Sequence, residues 1–332
     1  MPFINQFNAA LRTHLRPFSD ALDTENVNEI IVNRPGEYWM EKVGHSGMQR
    51  FEVNADMRWM VELANLIAEF TKQSVGQTQP LLSATLGDGV RVQIVMPPAT
   101  KADYFLLSIR KPAILNLTPS WYDERGAFRS VNQLGEKKEK LREALSTLYL
   151  AGDWHAFLKQ AIQGRQTILV SAGTNAGKTT FINTWLKYIP LHERLATIED
   201  SPELRLPHEN IAPLFFSRGS QNAAKYNAND LLSACMRLRP DRIIYGEIRG
   251  PEAYSFLSGA ISGHDGSVTT IHANSCEMAY ERMAMLALEA LPNANRDFML
   301  AFVKQAIPII VQLDYRNGER FVSEIHFDPL LS

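Results

Sequence analysis

At 332 residues, 45 % hydrophobic and 21 % charged, the chain is too apolar for a disordered protein and long enough to bury a sizeable core without staples, and its length suggests about two domains. A net charge of −2 excludes the global basic field of a nucleic-acid binder, though not a local basic groove. Only Cys235 and Cys276 are present, which excludes a disulfide framework and a four-cysteine zinc site and suits a reducing compartment.

No stretch approaches the roughly 18 apolar residues that span a bilayer, and no signal peptide is read at the N-terminus. Residues 3–18 place Phe3, Ile4, Phe7, Leu11, Leu15 and Phe18 on one helical face, with Arg12 and Arg16 beside it. That make-up fits a helix packed on its own domain, and it also fits contact with a membrane surface or a partner. Strands are expected at Val27–Val32, Tyr38–Val43 and Gln49–Val53, separated by the turns Asn33-Arg34-Pro35-Gly36 and Gly44-His45-Ser46-Gly47. Trp59, Met60, Leu63, Ile67 and Phe70 recur at helical spacing within 56–74, and three more strands follow at Leu81–Leu86, Val90–Met96 and Phe105–Ile109. Strands in runs beside a few helices imply an α+β domain over residues 1–111.

Lys111-Pro112 breaks that pattern, and residues 112–135 read as a long linker. The run Glu136-Lys137-Lys138-Glu139-Lys140 has mixed signs and is followed by Leu141, Leu145 and Leu148, so it reads as a solvated helix face rather than a nucleic-acid patch. From Thr167 the order becomes strand, loop, helix, strand. Thr167–Val170, Leu195–Ile198, Arg242–Tyr245 and Ser267–Ile271 are strand candidates, with helices expected at 181–188, 229–238, 251–262 and 276–290. This alternation implies an α/β domain over residues 136–332, a mostly parallel sheet covered by helices.

Four motifs stand at the loops of that second half. Ala172-Gly173-Thr174-Asn175-Ala176-Gly177-Lys178-Thr179-Thr180 follows an expected strand and opens an expected helix, the context a phosphate loop requires. Glycine lets backbone N–H groups turn around a phosphate, and the helix adds free N–H groups and a positive dipole end. Lys178 is expected to reach the β- and γ-phosphates and the Thr179 hydroxyl to bind Mg²⁺. Thr197-Ile198-Glu199-Asp200-Ser201-Pro202-Glu203 ends a strand, so its acids face the ligand crevice or simply cap the strand. Arg239 to Arg249 holds an apolar strand ending in Gly246-Glu247, where a carboxylate can polarise water, with Arg249 two residues on as a further catalytic candidate. In Ser262–Ala273, His264 and His272 stand eight apart with no third ligand in sight, so zinc is not expected and His272 is read near the γ-phosphate.

Together these motifs resemble the Walker A, Asp box, Walker B and His box of the traffic ATPases of type II and type IV secretion, a branch of the hexameric P-loop ATPases. The resemblance runs from about residue 25 onward. Val27 to Gly36, Arg91 to Thr100 and Ser108-Ile109-Arg110-Lys111-Pro112 look most like the VirB/Tra-type cytoplasmic ATPases of type IV secretion. Departures are Ala172, the pair Asn175-Ala176 where Gly-Ser is common, and Asp265 where proline is common. The resemblance implies a RecA-like P-loop domain with the smaller α+β domain folded over it, ATP and Mg²⁺ between them, and Arg91 and Arg110 over the phosphates. It further implies a homo-hexamer, cytoplasmic and peripheral to the bacterial inner membrane, that works with other secretion ATPases and inner-membrane components to export DNA or protein and assemble pili. A type IV pilus or type II secretion motor, a nucleic-acid motor and a scaffold that binds nucleotide only to assemble stay open. The type II enzymes usually carry a four-cysteine zinc insertion absent from this chain.

Overall fold

The computed structural model describes residues 3–24, 26–45, 47–112, 118–131, 133–217 and 226–328. Ser46 of the second expected turn and residues 113–117 and 132 of the expected linker lie outside them.

Residues 3–18 do not form one helix. Pro17 has no N–H to extend the ladder, and the chain runs as a 3-10 turn (Phe3–Gln6), α1 (Ala9–Leu15), a second 3-10 turn (Arg16–Phe18) and α2 (Ser19–Asp23). The Asn8 side chain accepts from Leu11 N at 2.9 Å and so starts α1. Phe7, Leu11, Leu15 and Phe18 are buried in one core with Met60, Leu63 and Ile67. The apolar face that suited a membrane surface is therefore taken up inside its own domain.

The next elements are β1 (Val27–Val32), β2 (Glu37–Lys42), β3 (Met48–Glu52), α3 (Met57–Phe70), β4 (Leu81–Thr85), β5 (Arg91–Val95) and β6 (Leu106–Arg110). They give a six-stranded sheet in the order β3-β2-β1-β6-β5-β4, antiparallel throughout. The stretch expected to be a linker is not structureless. Thr118 caps a helix, α4 (Pro119–Glu124), whose Pro119 sits at its first turn, where a missing N–H costs nothing. The following helix, α5 (Gln133–Ala151), starts before residue 136.

Beyond it come α6 (Trp154–Gln163), β7 (Ile168–Ala172), α7 (Lys178–Trp185), β8 (Leu195–Glu199), β9 (Ile211–Phe215), α8 (Ala228–Met236), β10 (Arg242–Tyr245) and α9 (Glu252–Ile261). The last five are β11 (Val268–Ile271), α10 (Cys276–Ala290), α11 (Arg296–Ala306), β12 (Ile309–Arg316) and β13 (Glu319–Phe327). They build a seven-stranded sheet in the order β13-β12-β7-β11-β10-β8-β9, parallel except for the final hairpin. Alternate residues of β10 serve two cores: Tyr245 belongs to the one that holds Phe256, Met283 and Val303, while Ile244 belongs to the one that holds Phe157, Ile182 and Phe327. Strands buried on both faces read as continuous apolar runs, which is why β7 and the Ile243–Tyr245 part of β10 are legible in the sequence, while β11 shows through its β-branched Val-Thr-Thr-Ile. The sequence reading had no α6, β9, α11, β12 or β13.

The two sheets meet along a polar and an apolar seam. Val95, Ala99 and Leu106 join the core of Leu231, Leu232 and Ala234. Arg194 donates to Asn33 Oδ1 at 2.7 Å and also bonds Asn210 Oδ1, while Arg239 pairs with Glu41 through two bonds. At the outer edge of the seven-stranded sheet, Phe215 N donates to Ala99 O at 2.9 Å and the Thr100 hydroxyl to Pro213 O at 2.6 Å.

Candidate active site

Parallel strands place their carboxyl ends, and the loops that follow them, along one edge of the sheet. Here that edge gathers residues 173–177 after β7, Glu199 at the end of β8, Gly246-Glu247 after β10 and His272 after β11. Gly177, at φ 86°, caps α7 in a backbone conformation that favours glycine, and a Cβ there would stand 3.0 Å from the Arg320 side chain. Asn175 also lies in the left-handed region, at φ 64°. Ala176 is buried in the core below, and Thr180 sits in the first turn of α7.

Lys178 leads into the crevice. Its Nζ lies 3.0 Å from His272 Nδ1 and 3.1 Å from Nε2, and His272 Nε2 lies 3.3 Å from Glu247 Oε1. Burial pulls the Lys178 ammonium below its ordinary pKa, opposed by the Glu247 charge. Burial works to raise the Glu247 carboxyl. The Arg249 hydrogen bonds, with the positive charges of Lys178 and Arg249, outweigh it and hold the group below the usual carboxylate range. Arg249 makes that pairing bidentate, Nε to Oε1 at 2.5 Å and Nη2 to Oε2 at 2.8 Å, with Asp200 4.0 Å away. Arg249 thus acts on Glu247 rather than standing alone in the crevice.

The two acids of the second motif divide their work. Glu199 is buried, and its Oε2 accepts the N–H groups of Glu203 and Leu204, both at 2.8 Å. Burial raises its pKa against those two bonds. Glu203 instead reaches the phosphate-loop helix, accepting from the Thr179 hydroxyl at 2.7 Å. Asn183, which the sequence did not single out, ties this acidic loop to α7 by donating to Glu203 O at 2.9 Å and accepting from Arg205 N at 2.7 Å. Lys178, Thr179, Glu203, Glu247, Arg249 and Thr270 enclose a narrow cavity of about 80 Å³. A wider one of about 500 Å³ is lined by His272, Gly173, Thr174 and Met278 among others.

Arg91 and Arg110 are not part of this crevice. They line a separate cavity of about 810 Å³ with Arg165, Arg237, Arg239 and His264. Arg165, Arg239 and His264 precede β7, β10 and β11, so this cavity lies at the amino edge of the parallel sheet, roughly 15 Å of strand away from the phosphate loop. The sequence reading put the two arginines over the phosphates. Within one chain the docking of β5 against α8 holds them at the opposite edge. His264 also belongs there, its Nδ1 3.3 Å from Gly259 O.

One more residue touches the loop and was not found in the sequence. Arg320 Nε donates to Asn175 O at 3.1 Å and its Nη2 to Asn175 Oδ1 at 3.3 Å. The signal available was Asn317-Gly318 between two β-rich runs, a strong hairpin signature.

The family model described as type II/IV secretion system protein matches residues 12–317. A type IV secretion system protein VirB11 from Brucella suis is 36 % identical, over 97 % of this chain and 91 % of its own length. Protein VirB11 from Agrobacterium fabrum is 34 % identical over 95 % and 92 %. The crystal structure of the VirB11 ATPase from the Brucella suis type IV secretion system, in complex with sulphate, superposes with a TM-score of 0.91 at 34 % identity, covering 99 % of this chain and 97 % of that one.

Proposed function

The chain belongs to the type II/IV secretion system protein family, and from that premise we propose how it works as a secretion ATPase: Mg²⁺-dependent hydrolysis of ATP at the edge formed by β7, β8, β10 and β11. The observation that carries this reading is the convergence of Lys178 and Glu247 on His272, at 3.0 and 3.3 Å, beside a helix N-terminus. A helix N-terminus and a lysine are the groups that bind phosphate oxygens. An ionised carboxylate beside them can polarise an attacking water. The Thr179 hydroxyl and Glu203 carboxylate, both hard oxygen donors 2.7 Å apart, fit Mg²⁺, which would neutralise charge on the phosphate oxygens. Arg249 holds Glu247 in place and ionised, and His272, between Lys178 and Glu247, stands where the γ-phosphate of ATP would be felt.

The homo-hexamer implied by the family resemblance gives Arg91 and Arg110 a use. The phosphate loop and the arginine cavity occupy opposite edges of one sheet, so copies packed head to tail in a closed ring bring one chain's arginines to the next chain's nucleotide. Guanidinium groups suit that role because they are always charged and fork onto phosphate oxygens. The ring would act with the other components of a type IV secretion system at the inner membrane, exporting DNA or protein. Among the described residues no helix is long and apolar enough to cross a membrane.

The test is phosphate release from Lys178→Ala, Arg110→Ala and their mixture. Each variant alone should lose on the order of 100-fold in turnover, as when one electrostatic contact to the reacting group is removed. In a one-to-one mixture about a quarter of head-to-tail interfaces carry both intact groups, and activity should return to match. An active Lys178→Ala protein would overturn the site. Two inactive variants that stay inactive when mixed would overturn the shared interface alone.

A further inference from the structure

Asn175 presents a local problem. Its φ of 64° is a conformation that glycine adopts freely and that costs an L-residue energy, although asparagine tolerates it better than most. It is also one of the positions where this chain departs from the commoner Gly-Ser of such loops. The remedy comes from 145 residues away.

Strand β12 pairs with β7 as far as Leu313 opposite Ala172, then continues through Asp314, Tyr315 and Arg316 past the end of β7. The hairpin therefore rises beside the phosphate loop. Its turn, Asn317-Gly318, has both residues at positive φ, and the next residue pair brings Arg320 opposite Tyr315. The Arg320 guanidinium lies over the Tyr315 ring, 5.2 Å from its centre, which fixes the long side chain. So held, it takes both acceptors of Asn175, the backbone oxygen and the side-chain oxygen, and its Cδ covers Gly177.

We propose that Arg320 is a positioning residue of the phosphate loop: by binding both oxygens of Asn175 it holds that residue left-handed and keeps the carbonyl turned out, so that the neighbouring N–H groups stay turned toward the phosphates. Tyr315 is the prop that aims it. The inference rests on the reading of this loop as a nucleotide site. Arg320 acts before the chemistry, on how well the loop is formed when nucleotide arrives. Its loss therefore weakens ATP and ADP binding together, because the loop is shared by both, and leaves the step that uses Glu247 intact.

The experiment titrates ATP and ADP against the full-length protein and its Arg320→Ala, Arg320→Lys, Asn175→Gly and Arg320→Ala/Asn175→Gly variants, with turnover measured at saturating ATP. Arg320→Ala should raise both dissociation constants by about 3- to 10-fold, the loss of two charge-assisted bonds at an exposed position, with kcat within about twofold of the parent. Arg320→Lys, which keeps the charge but not the fork, should recover part of the affinity. In the Asn175→Gly background, where the loop needs no help to turn left-handed, removing Arg320 should change affinity by less than about twofold. Unchanged dissociation constants in Arg320→Ala would overturn the proposal. So would an equal loss in both backgrounds, which would assign Arg320 to the nucleotide itself. Failure of the parent protein to bind ATP or ADP would instead sink the nucleotide-site reading, and this inference with it.

Discussion

A carboxylate that polarises water has to remain ionised in a crevice that disfavours charge. Glu247 is held so by the Lys178 ammonium and by Arg249, which grips both oxygens. Glu247→Gln keeps size and reach and loses the charge. It should bind ATP with near-parental affinity and turn over about 10²- to 10⁴-fold more slowly in single-turnover measurements, the usual worth of a positioned base. Normal turnover would pass the role to Glu199 or Glu203. Lys178, Thr179, Glu247 and His272 are legible in the sequence because each stands in a short contiguous motif at a strand end. Glu199 and Glu203 are legible only as a pair. That one shapes the loop through backbone N–H groups while the other meets Thr179 depends on how residues 200–205 turn. Asn183 and Arg320 are illegible because their partners are 20 or more residues distant: neither the phosphate-loop helix that carries Asn183 nor the Asn317-Gly318 turn beside Arg320 tells what they touch.

Helices with a one-sided apolar pattern, such as α3 and α10, and strands that read as short β-rich apolar runs, such as β1 and β10, are found from the sequence almost to their ends. The misses have physical causes. Pro17 divides what looks like one helical face, and β9 hides because Pro213 stands in its middle, a residue confined to edge strands. Strand β13 is almost entirely exposed, so it carries no burial pattern to read. Caps, by contrast, are local and therefore legible. Asn227 and Asp230 form a reciprocal capping box at α8, the helix on which β5 docks. Asn227→Ala should cost that helix about 1 kcal/mol. The expected readout is faster hydrogen exchange in residues 228–236, with turnover at saturating ATP unchanged. Exchange as slow as in the parent would mean that packing alone holds the first turn.

How the two sheets dock was not readable, because the residues that decide it pair across the whole chain. Arg194, at the start of β8, is fully buried, donates to Leu238 O at 2.8 Å and reaches Asn33 of the other domain. Burial pushes its pKa down to about 10, which still leaves it charged at neutral pH. Arg194→Met would strand the side-chain oxygens it satisfies and should destabilise the seam on the order of 2–4 kcal/mol. Small-angle scattering should then report a larger radius of gyration and limited proteolysis faster cleavage within 112–135. An unchanged scattering curve would assign the seam to its apolar contacts. The bonds from residues 99–100 to β9 carry a different consequence. An uncovered edge strand is an invitation to any other extended chain, and proteins blunt such edges to avoid sticking to themselves. Here residues 99–100 cover that edge at two points, the Ala99 carbonyl at Phe215 and the Thr100 hydroxyl at Pro213, and Pro213 removes one donor from the row. Separating the halves, by truncation or by too wide an opening, would hand that edge to a neighbour. In a crowded cell a covered edge of this kind is less open to strand-by-strand association.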